Sequence, residues 1–278
     1  MSKVVLITGA SSGIGQILAE MLHRSGYQVF GTSRTPSTTQ AGAFEMLTLD
    51  VTDTESVRAC VAELVQRAGR VDILINNAGY DLYAAGQDTE FSDYVAQMET
   101  NFWGAVWMSQ AILPMMQMQG NGRIINMSSL GGRLALPFNS AYSASKFALE
   151  GYSESLRLEL LASNIFITLI EAGQVKTDSL ERSLRSTKHG QSAQVLERMR
   201  TMAQAASLTP QAVAAVTVQV IAARRPALRY VVGSQARITL GLHRWLPTRL
   251  FEALLVRQFV TPIINQTRQT LPSHKVNP

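Results

Sequence analysis

The sequence predicts an α/β fold, in which a doubly wound parallel sheet of about seven strands carries helices on both faces. Short apolar runs alternate with longer amphipathic stretches along most of the chain, which is the pattern of successive βαβ units. Some runs, such as Val4–Ile7 and Ile73–Ile75, are apolar at every position, as expected of strands buried on both sides. Sheets of this kind bind their ligands at the carboxyl ends of the strands.

The individual elements follow from the same patterns in chain order. Strands are predicted at Val4–Thr8, Gln28–Thr32, Glu45–Leu49, Val71–Asn76, Arg123–Ser128, Ile165–Glu171 and Arg229–Val232. Apolar residues at helical spacing predict helices over Gly15–Ser25, Thr54–Arg67, Ser92–Gln117 and Ala141–Ala162. The sequence has no internal repeat or Gly/Ser linker, so we expect one domain at 1–260. It includes a helical lid at 178–209 and basic amphipathic helices at 235–260, and a tail follows at 261–278.

A glycine-rich turn, Thr8-Gly9-Ala10-Ser11-Ser12-Gly13-Ile14-Gly15, joins the first strand to the first helix. Glycines permit a sharp turn and a close approach to a pyrophosphate, and a helix N-terminus offers free N–H groups. The turn could also be an ordinary connection, but a strand, a turn and a helix in this order favour a Rossmann-like dinucleotide site. The expected cofactor contacts are Gly9, Ser11, Ser12, Gly13, Ile14 and Gly15.

The end of the second strand indicates which cofactor this site prefers. An NAD site usually places an acidic side chain there to bind the ribose 2′-hydroxyl, but this chain has Ser33 followed by Arg34. A guanidinium can bind a 2′-phosphate, so we expect NADP(H). The ends of the third and fourth strands add expected cofactor contacts at Asp50, Val51, Asn77, Ala78 and Gly79.

Ser129, Tyr142 and Lys146 form the strongest catalytic pattern. Tyr142 and Lys146 are four residues apart, hence on one helix face, and Ser129 ends the fifth strand at the same sheet edge. A tyrosine has an ordinary pKa near 10, and a neighbouring ammonium is expected to lower it toward the neutral range. The alternative is a Tyr-x-x-x-Lys pair that occurs on a helix by chance.

Taken together, these motifs resemble the short-chain dehydrogenase/reductase family, in its compact single-domain subclass. The resemblance covers roughly residues 3–235 and rests on the Thr8–Gly15 turn, Asn77-Ala78-Gly79, Asn101, Ser129 and Tyr142-Ser143-Ala144-Ser145-Lys146. The gap of 13 residues before Tyr142 matches the family and selects Ser129 over its neighbour Ser128.

The resemblance implies a role for each of these residues. Tyr142 would be the general acid or base, Ser129 would orient the carbonyl, and Lys146 would lower the pKa of Tyr142 and hold the nicotinamide ribose. Asn101 would hold a water that connects Lys146 to solvent. After the sixth strand, Gly173, Val175 and Thr177 keep the family's places as cofactor contacts.

Two further features bear on the loops around the site. Ala172 replaces the proline that the family commonly has before Gly173, so we expect a looser cofactor loop. The run from Leu136 to Leu156 is similar to the branch that contains 17-beta-hydroxysteroid and retinol dehydrogenases, which suggests an apolar alcohol or ketone as substrate. The expected substrate contacts are Tyr80, Leu136, Phe138 and Leu180.

Two other functions remain open from the sequence. The first is a catalytically silent nucleotide-binding or scaffold protein on the same fold. The second is a nucleotide-sugar epimerase or dehydratase, which also uses Tyr-x-x-x-Lys but usually needs a larger C-terminal domain than this chain has room for. The resemblance also implies a homodimer or homotetramer, assembled through the helices that hold Asn101 and Tyr142.

Composition limits the partners and the compartment. A single cysteine, Cys60, cannot form an intramolecular disulfide, and four scattered histidines do not suggest a metal site, so we expect a cytoplasmic protein without a metal. Residues 1–220 hold 16 Lys/Arg against 19 Asp/Glu, whereas residues 221–278 hold 9 against 1. No nucleic-acid motif accompanies this basic segment. Its amphipathic pattern is compatible with a membrane surface, although packing on the chain's own domain or on a neighbouring subunit is the preferred interpretation.

Overall fold

The predicted sheet is confirmed. The computed structural model describes residues 2–35, 44–176, 197–199, 201, 202 and 204–263. Seven parallel strands pair in the order β3-β2-β1-β4-β5-β6-β7. They are β1 (Val4–Ile7), β2 (Gln28–Ser33), β3 (Glu45–Thr48), β4 (Ile73–Asn76), β5 (Gly122–Ser129), β6 (Ile165–Ala172) and β7 (Arg229–Val232). The chain order reverses beside β1, so the carboxyl ends of β1 and β4 meet at the switch point where such sheets bind ligands.

One strand begins later than predicted. The fourth strand starts at Ile73 rather than Val71, although the Asp72 backbone still donates to the Val4 carbonyl at 3.0 Å and accepts from the Arg123 N–H at 2.9 Å. The Asp72 Oδ2 accepts a hydrogen bond from the Val4 backbone N–H at 2.8 Å and forms an ion pair with Arg70.

The helices are α1 (Gly13–Arg24), α2 (Thr54–Ala68), α3 (Phe91–Met98), α4 (Gly104–Gln119), α5 (Ser140–Glu159), α6 (Pro210–Ala222), α7 (Ser234–Trp245) and α8 (Thr248–Leu255). Two differ from the sequence prediction. The long helix predicted over Ser92–Gln117 is divided into α3 and α4 by a π-helical turn, Glu99–Trp103, of the kind that often marks a functional site. The helix α6 was not predicted, since it is apolar on most sides and lacks a clear amphipathic period.

Helices cover both faces of the sheet, and the strand pleat separates the two layers. Val4 and Leu6 of β1 contribute to a buried cluster with α2, α4 and α5, whereas Val5 and Ile7 contribute to a second cluster with α1 and α6. Successive side chains of a strand point to opposite faces, so an all-apolar strand is buried on both sides. Cys60 of α2 belongs to the first cluster, where desolvation raises the pKa of its thiol to about 12.

The C-terminal helices return to the carboxyl edge of the sheet. A π-helical turn, Val256–Val260, follows α8, and a third apolar cluster joins Phe259 and Ile263 to Met199 and to residues of the loops after β4 and β5. In the described part of the chain, no helix is both long enough and apolar enough to cross a bilayer.

An ion network ties the last strand to the rest of the sheet. The Arg229 guanidinium on β7 contacts Glu150 of α5 at 2.9 Å, Glu171 of β6 at 3.2 Å and Glu154 at 2.9 Å. Arg133, which follows β5, also binds Glu171 at 2.9 Å. Because Glu150 and Glu171 are buried, these arginines are needed to compensate their charge.

This network gives a stability prediction. In Arg229→Met, Glu150 would lose its guanidinium partner and Glu171 one of two, and removing one partner of a buried ion pair typically costs about 3–5 kcal/mol. We expect a loss of this size in the free energy of unfolding at pH 7, measured by urea denaturation. Arg225→Met removes an exposed guanidinium nearby and serves as the control. Equal losses in the two variants would contradict the role of the network.

Candidate active site

The glycine-rich turn is locked against the end of β4. The Thr8 hydroxyl accepts hydrogen bonds from the backbone N–H groups of Asn77 at 3.0 Å and Ala78 at 2.9 Å. In return, the Asn77 side-chain amide donates to the carbonyls of Thr8 at 2.9 Å and Gly9 at 3.0 Å. The ends of β1 and β4 and the loops that follow them therefore form one rigid unit.

Glycine is required at specific positions of this turn. Gly9 and Gly13 have φ angles of +67° and +59°, which favour glycine. A Cβ at Gly15 would lie 2.4 Å from the Asn77 side chain and from the Gly9 carbonyl, so a larger residue would push the turn off β4. Nothing lies within 4 Å of a Cβ placed at Gly13, which leaves open space at the start of α1.

This arrangement fits a pyrophosphate. Backbone N–H groups at the N-terminus of α1 and the positive end of its dipole face the open space beside Gly13, and no acidic residue occupies the first turn. Ser11, Ser12 and Ile14 lie in the same turn, as predicted.

Other predicted cofactor contacts lie along the same edge. Ser33 ends β2, and Arg34 is exposed beside it without an ion-pair partner in the described residues. The Asp50 carboxylate accepts hydrogen bonds from the backbone and hydroxyl of Thr52 at 2.9 and 2.7 Å, which fixes the turn after β3. Val51 packs against Gly104 of α4, where a Cβ would approach it to 2.8 Å.

Backbone hydrogen bonds hold the loop after β6, and the looser loop expected from Ala172 stays a prediction. The Gly173 N–H donates to the Val232 carbonyl at 2.9 Å, and the Lys176 N–H donates to the Leu208 carbonyl at 2.9 Å. The sheet pairing of β6 with β7 extends through Ala172, which keeps the N–H that proline lacks. Val175 forms a bridge with Leu208. Thr177 lies outside the described residues.

Helix α5 is attached to β5 by a ladder of polar contacts. Lys146 Nζ donates to the Met127 carbonyl at 2.8 Å, and the next carboxylate along the helix, Glu150, accepts from the Ser128 hydroxyl at 2.5 Å. One turn further, the Ser153 hydroxyl is bonded to Asn126 at 2.8 Å. The ladder fixes the register in which the end of β5 meets α5.

The same register brings Ser129 to Tyr142. The Ser129 side chain acts on Tyr142 and lowers its pKa, and the Ser129 hydroxyl accepts from the Gly131 N–H at 3.1 Å. A Cβ at Gly131 would lie only 3.1 Å from the Tyr142 ring, so a glycine at this position leaves the space that the ring occupies. Ser128 instead donates to Glu150. Of the two neighbouring serines, Ser129 is therefore the one that lies beside Tyr142.

Lys146 and Asn101 complete the predicted set. The Lys146 ammonium is buried 5.6 Å from the centre of the Tyr142 ring. Asn101, in the π-helical turn, donates to the Tyr80 carbonyl at 3.0 Å and to the Ser145 hydroxyl at 3.3 Å, and it accepts from the Tyr80 N–H at 3.1 Å. Asn101 therefore joins the loop after β4 to the helix that holds Tyr142.

Burial and nearby charges shift the pKa values of Tyr142 and Lys146. Desolvation and the nearby charge of Asp81 raise the pKa of Tyr142 well above its ordinary value, although the hydrogen bond from Ser129 acts in the opposite direction. Desolvation lowers the pKa of Lys146 to about 8, while Asp81 and Glu150 oppose this shift. Lys146 is not among the groups that shift the pKa of Tyr142 in this structure, so the lowering of that pKa by Lys146 stays a prediction.

Asp81 is the site residue that the sequence did not reveal. It is partly buried, its charge raises the pKa of Tyr142, and desolvation raises the pKa of its own carboxyl group. Tyr83 also acts on Tyr142 electrostatically, whereas the charges that affect Tyr80 are those of Asp93 and Glu99. Residues two apart in an extended segment share a side, and this periodicity is the signal that could have found Asp81 with Tyr83.

The predicted substrate side is apolar. Leu136 and Phe138 pack with Tyr83 against Met199 and Phe259, in the third apolar cluster. Phe138 has a φ of +62°, and its carbonyl accepts from the Ala84 N–H at 2.9 Å, which ties together the two loops that flank Tyr142. Leu180 lies outside the described residues, as does most of the predicted lid.

A cleft opens beside this cluster. Its volume is about 360 Å³, and it is lined by Gln174, Met202, Ala205, Ala206, Gln235, Ile238, Thr239 and Gln258. Arg133 is not a free anion-binding group, because its guanidinium is paired with Glu171. In the described residues, Tyr142 lies near the Lys146 ammonium and the Asp81 carboxylate, and the apolar side chains of the third cluster lie on the predicted substrate side.

Comparison with known proteins agrees with this geometry. The sequence model of the short chain dehydrogenase family matches residues 3–188. The chain is 37% identical over 264 residues to a 3-ketodihydrosphingosine reductase of Bacteroides thetaiotaomicron, covering 91% of this chain and 96% of that protein. It is also 37% identical over 256 residues to human 17-beta-hydroxysteroid dehydrogenase type 1, covering 82% of this chain and 76% of that protein.

A solved structure extends the likeness to the whole fold. A short-chain dehydrogenase from Streptomyces avermitilis superposes with a TM-score of 0.78 at 30% identity, covering 98% of this chain and 100% of that one. The resemblance to the hydroxysteroid dehydrogenase branch is thus confirmed. The chain belongs to the short-chain dehydrogenase/reductase family and is a nicotinamide-dependent oxidoreductase.

Proposed function

We propose that this protein transfers hydride between NADP(H) and the carbonyl or alcohol group of a lipophilic substrate, with Tyr142 as the general acid and base. The observation that carries the proposal is the joining of Ser129, Tyr142 and Lys146 at one sheet edge by the polar ladder between β5 and α5. When bound, the cofactor supplies hydride at nicotinamide C4 and, in its oxidised form, a positive charge near Tyr142.

The chain's own residues would hold the cofactor along the carboxyl edge. Gly13 leaves open space for the pyrophosphate, Gly9 allows the turn to pack closely against Ala78, and the N-terminus of α1 provides N–H donors and a favourable dipole. Asn77 keeps the turn in place, and Lys146, whose ammonium is already anchored on β5, would bind the nicotinamide ribose. The remaining predicted contacts, including Thr177, stay proposals of the same kind.

Tyr142 would move the proton. With its pKa raised, the phenol keeps its proton at neutral pH and can donate it to the oxygen of a carbonyl as that oxygen gains negative charge. Ser129, which lies beside Tyr142, would orient that oxygen. Lys146 and Asn101 would return a proton from solvent along the Tyr80 side of the site.

The apolar side chains on the predicted substrate side best fit an apolar ketone as the substrate class. Leu136 and Phe138 border the site, and Arg133, the nearby cation after β5, is already paired. The named activities of the relatives, on 3-ketodihydrosphingosine and on 17-beta-hydroxysteroids, point to the same class. We therefore propose steroid-like, retinoid-like or long-chain ketones and their alcohols.

The choice of NADP rests on the end of β2. The 2′-phosphate of NADP would lie beside Ser33, where an NAD site usually has a carboxylate, and the exposed Arg34 could bind it.

We also propose that two or more copies assemble through α4 and α5. Phe147 and Leu158 are exposed on one side of α5 with the open Gly151 between them, and Trp103 is exposed at the start of α4. The buried thiol of Cys60 is compatible with a reducing compartment, and we propose the cytoplasm.

A silent scaffold is the alternative from another functional class. It predicts that the protein binds NADPH but consumes none with any carbonyl compound. A panel of steroid, retinoid, long-chain and aryl ketones, followed by NADPH absorbance, separates the two. No consumption with the whole panel would favour the scaffold.

Tyr142→Phe tests the proton-transfer role. Removing the hydroxyl should lower kcat by about 100- to 10,000-fold, because a positioned acid contributes on this scale, and should leave the Kd for NADPH unchanged. Tyr152→Phe makes the same chemical change on the same helix and should keep near-normal kcat. Near-normal turnover of the Tyr142 variant would overturn the mechanism.

Arg34→Asp tests the cofactor preference. A hydrogen bond to a charged group is worth about 1.5–3 kcal/mol, so the ratio of kcat/KM for NADPH over NADH should fall by about 10- to 100-fold. Arg58→Asp, at an exposed site on α2, is the control for the charge change. An unchanged ratio would contradict the assignment of Arg34.

Asp81→Asn tests the electrostatics of Tyr142. Loss of the carboxylate removes a charge that raises the pKa of Tyr142, so this pKa should fall. Alcohol oxidation needs the phenolate, so the rise of kcat/KM with pH should move to lower pH. Asp88→Asn, in the same loop but exposed, should leave the profile in place. A shift to higher pH, or none, would contradict the effect assigned to Asp81.

A further inference from the structure

The two C-terminal helices expose an apolar stripe. Ile238, Leu242 and Trp245 recur at positions i, i+4 and i+7 of α7, hence on one side of that helix, and Leu250 and Leu254 do the same on α8. Trp245 is 80% exposed, Ile238 62% and Leu250 57%. We call these five residues the C-terminal stripe.

The stripe is not needed for packing within the described part of the chain. Phe251 is buried and marks the side of α8 that packs on the rest of the domain. Phe259 and Ile263, which follow α8, are buried in the third apolar cluster. On α7, which the structure describes in full, the only buried side chain is that of Ala236. Among the described residues, one side of these helices therefore packs on the chain's own domain, as the sequence favoured, and the other side is exposed.

Arginines border the stripe at a regular position. Arg237, Arg244 and Arg249 directly precede Ile238, Trp245 and Leu250 of the stripe. Each arginine therefore lies about 100° around the helix from the apolar residue that follows it. Arg257 lies in the turn after α8. All four are exposed, and none pairs with a carboxylate among the residues that the structure describes. The Arg244 guanidinium lies 5.5 Å from the Trp245 ring centre.

We propose that the C-terminal stripe and its four arginines dock on the surface of an anionic lipid bilayer. Apolar side chains and a tryptophan flanked by cations are the features with which interfacial helices enter the headgroup region, and each arginine is attracted to anionic lipid. A second copy of the chain fits less well, because two such faces would bring like charges together. The docking is independent of the proposed catalytic function.

Vesicle co-sedimentation of the full chain tests the docking. The protein should sediment with vesicles of equal parts phosphatidylserine and phosphatidylcholine, and much less with phosphatidylcholine alone. Salt at about 1 M should release it, since screening is then strong. This salt comparison uses the unaltered chain and does not depend on how any variant folds.

Matched variants locate the contact. Arg244→Glu with Arg249→Glu should lower the bound fraction at least about tenfold, whereas Arg24→Glu with Arg58→Glu, which changes the net charge equally at exposed sites elsewhere, should bind like the parent. Trp245→Ser with Leu250→Ser should also lose binding. Phe91→Ser with Met118→Ser, at other exposed apolar positions, is the control. Circular dichroism and NADPH affinity verify the fold of each variant.

Three results would overturn the proposal. The first is no sedimentation of the folded parent with anionic vesicles. The second is equal loss of binding in the C-terminal variants and their controls. The third is self-association that Trp245→Ser with Leu250→Ser abolishes, without any binding to vesicles, which would assign the stripe to a second copy of the chain.

Discussion

The register between β5 and α5 is the constraint on which the site depends. Polar groups along the strand meet polar groups along the helix, so the helix cannot slide or rotate without breaking several buried hydrogen bonds. Leaving such groups unpaired costs more than each bond contributes, which makes the register specific as well as stable. The contact between Ser129 and Tyr142 is the one nearest the carboxyl end of β5. The pairs, in order along β5, are Asn126 with Ser153, Met127 with Lys146, Ser128 with Glu150 and Ser129 with Tyr142.

The charges around Tyr142 then decide which proton state the site holds. The Lys146 ammonium donates to the Met127 carbonyl, and burial lowers its own pKa. Lys146 does not by itself lower the pKa of the Tyr142 phenol in this structure. Asp81 acts on both groups, favouring the neutral phenol and the charged ammonium. The positive charge of an oxidised cofactor would favour the phenolate, in the opposite direction to the effect of Asp81.

Local patterns predicted most of the fold. Strands of uninterrupted apolar residues and the glycine-rich turn are encoded in consecutive residues, and the predicted core site residues are brought to one edge by the topology that these elements imply. Long-range pairings were not predictable in this way. Nothing in the sequence near Arg133 shows that Glu171 will neutralise it, and nothing near Asp81 shows that Tyr142 will face it, because each contact depends on loops that meet only in the fold. The helix α6 was missed for a different reason: an almost uniformly apolar segment carries no period.

The backbone at Phe138 has a consequence for how this protein can change. A bulky residue with a left-handed φ costs about 1–3 kcal/mol of folding free energy, and glycine would remove that cost. The side chain also packs in the third apolar cluster, so glycine would relieve the backbone but lose those contacts. In the proposed substrate site, glycine would also remove an apolar wall. Selection for a relaxed backbone and selection for binding of an apolar substrate would therefore favour different residues at this position.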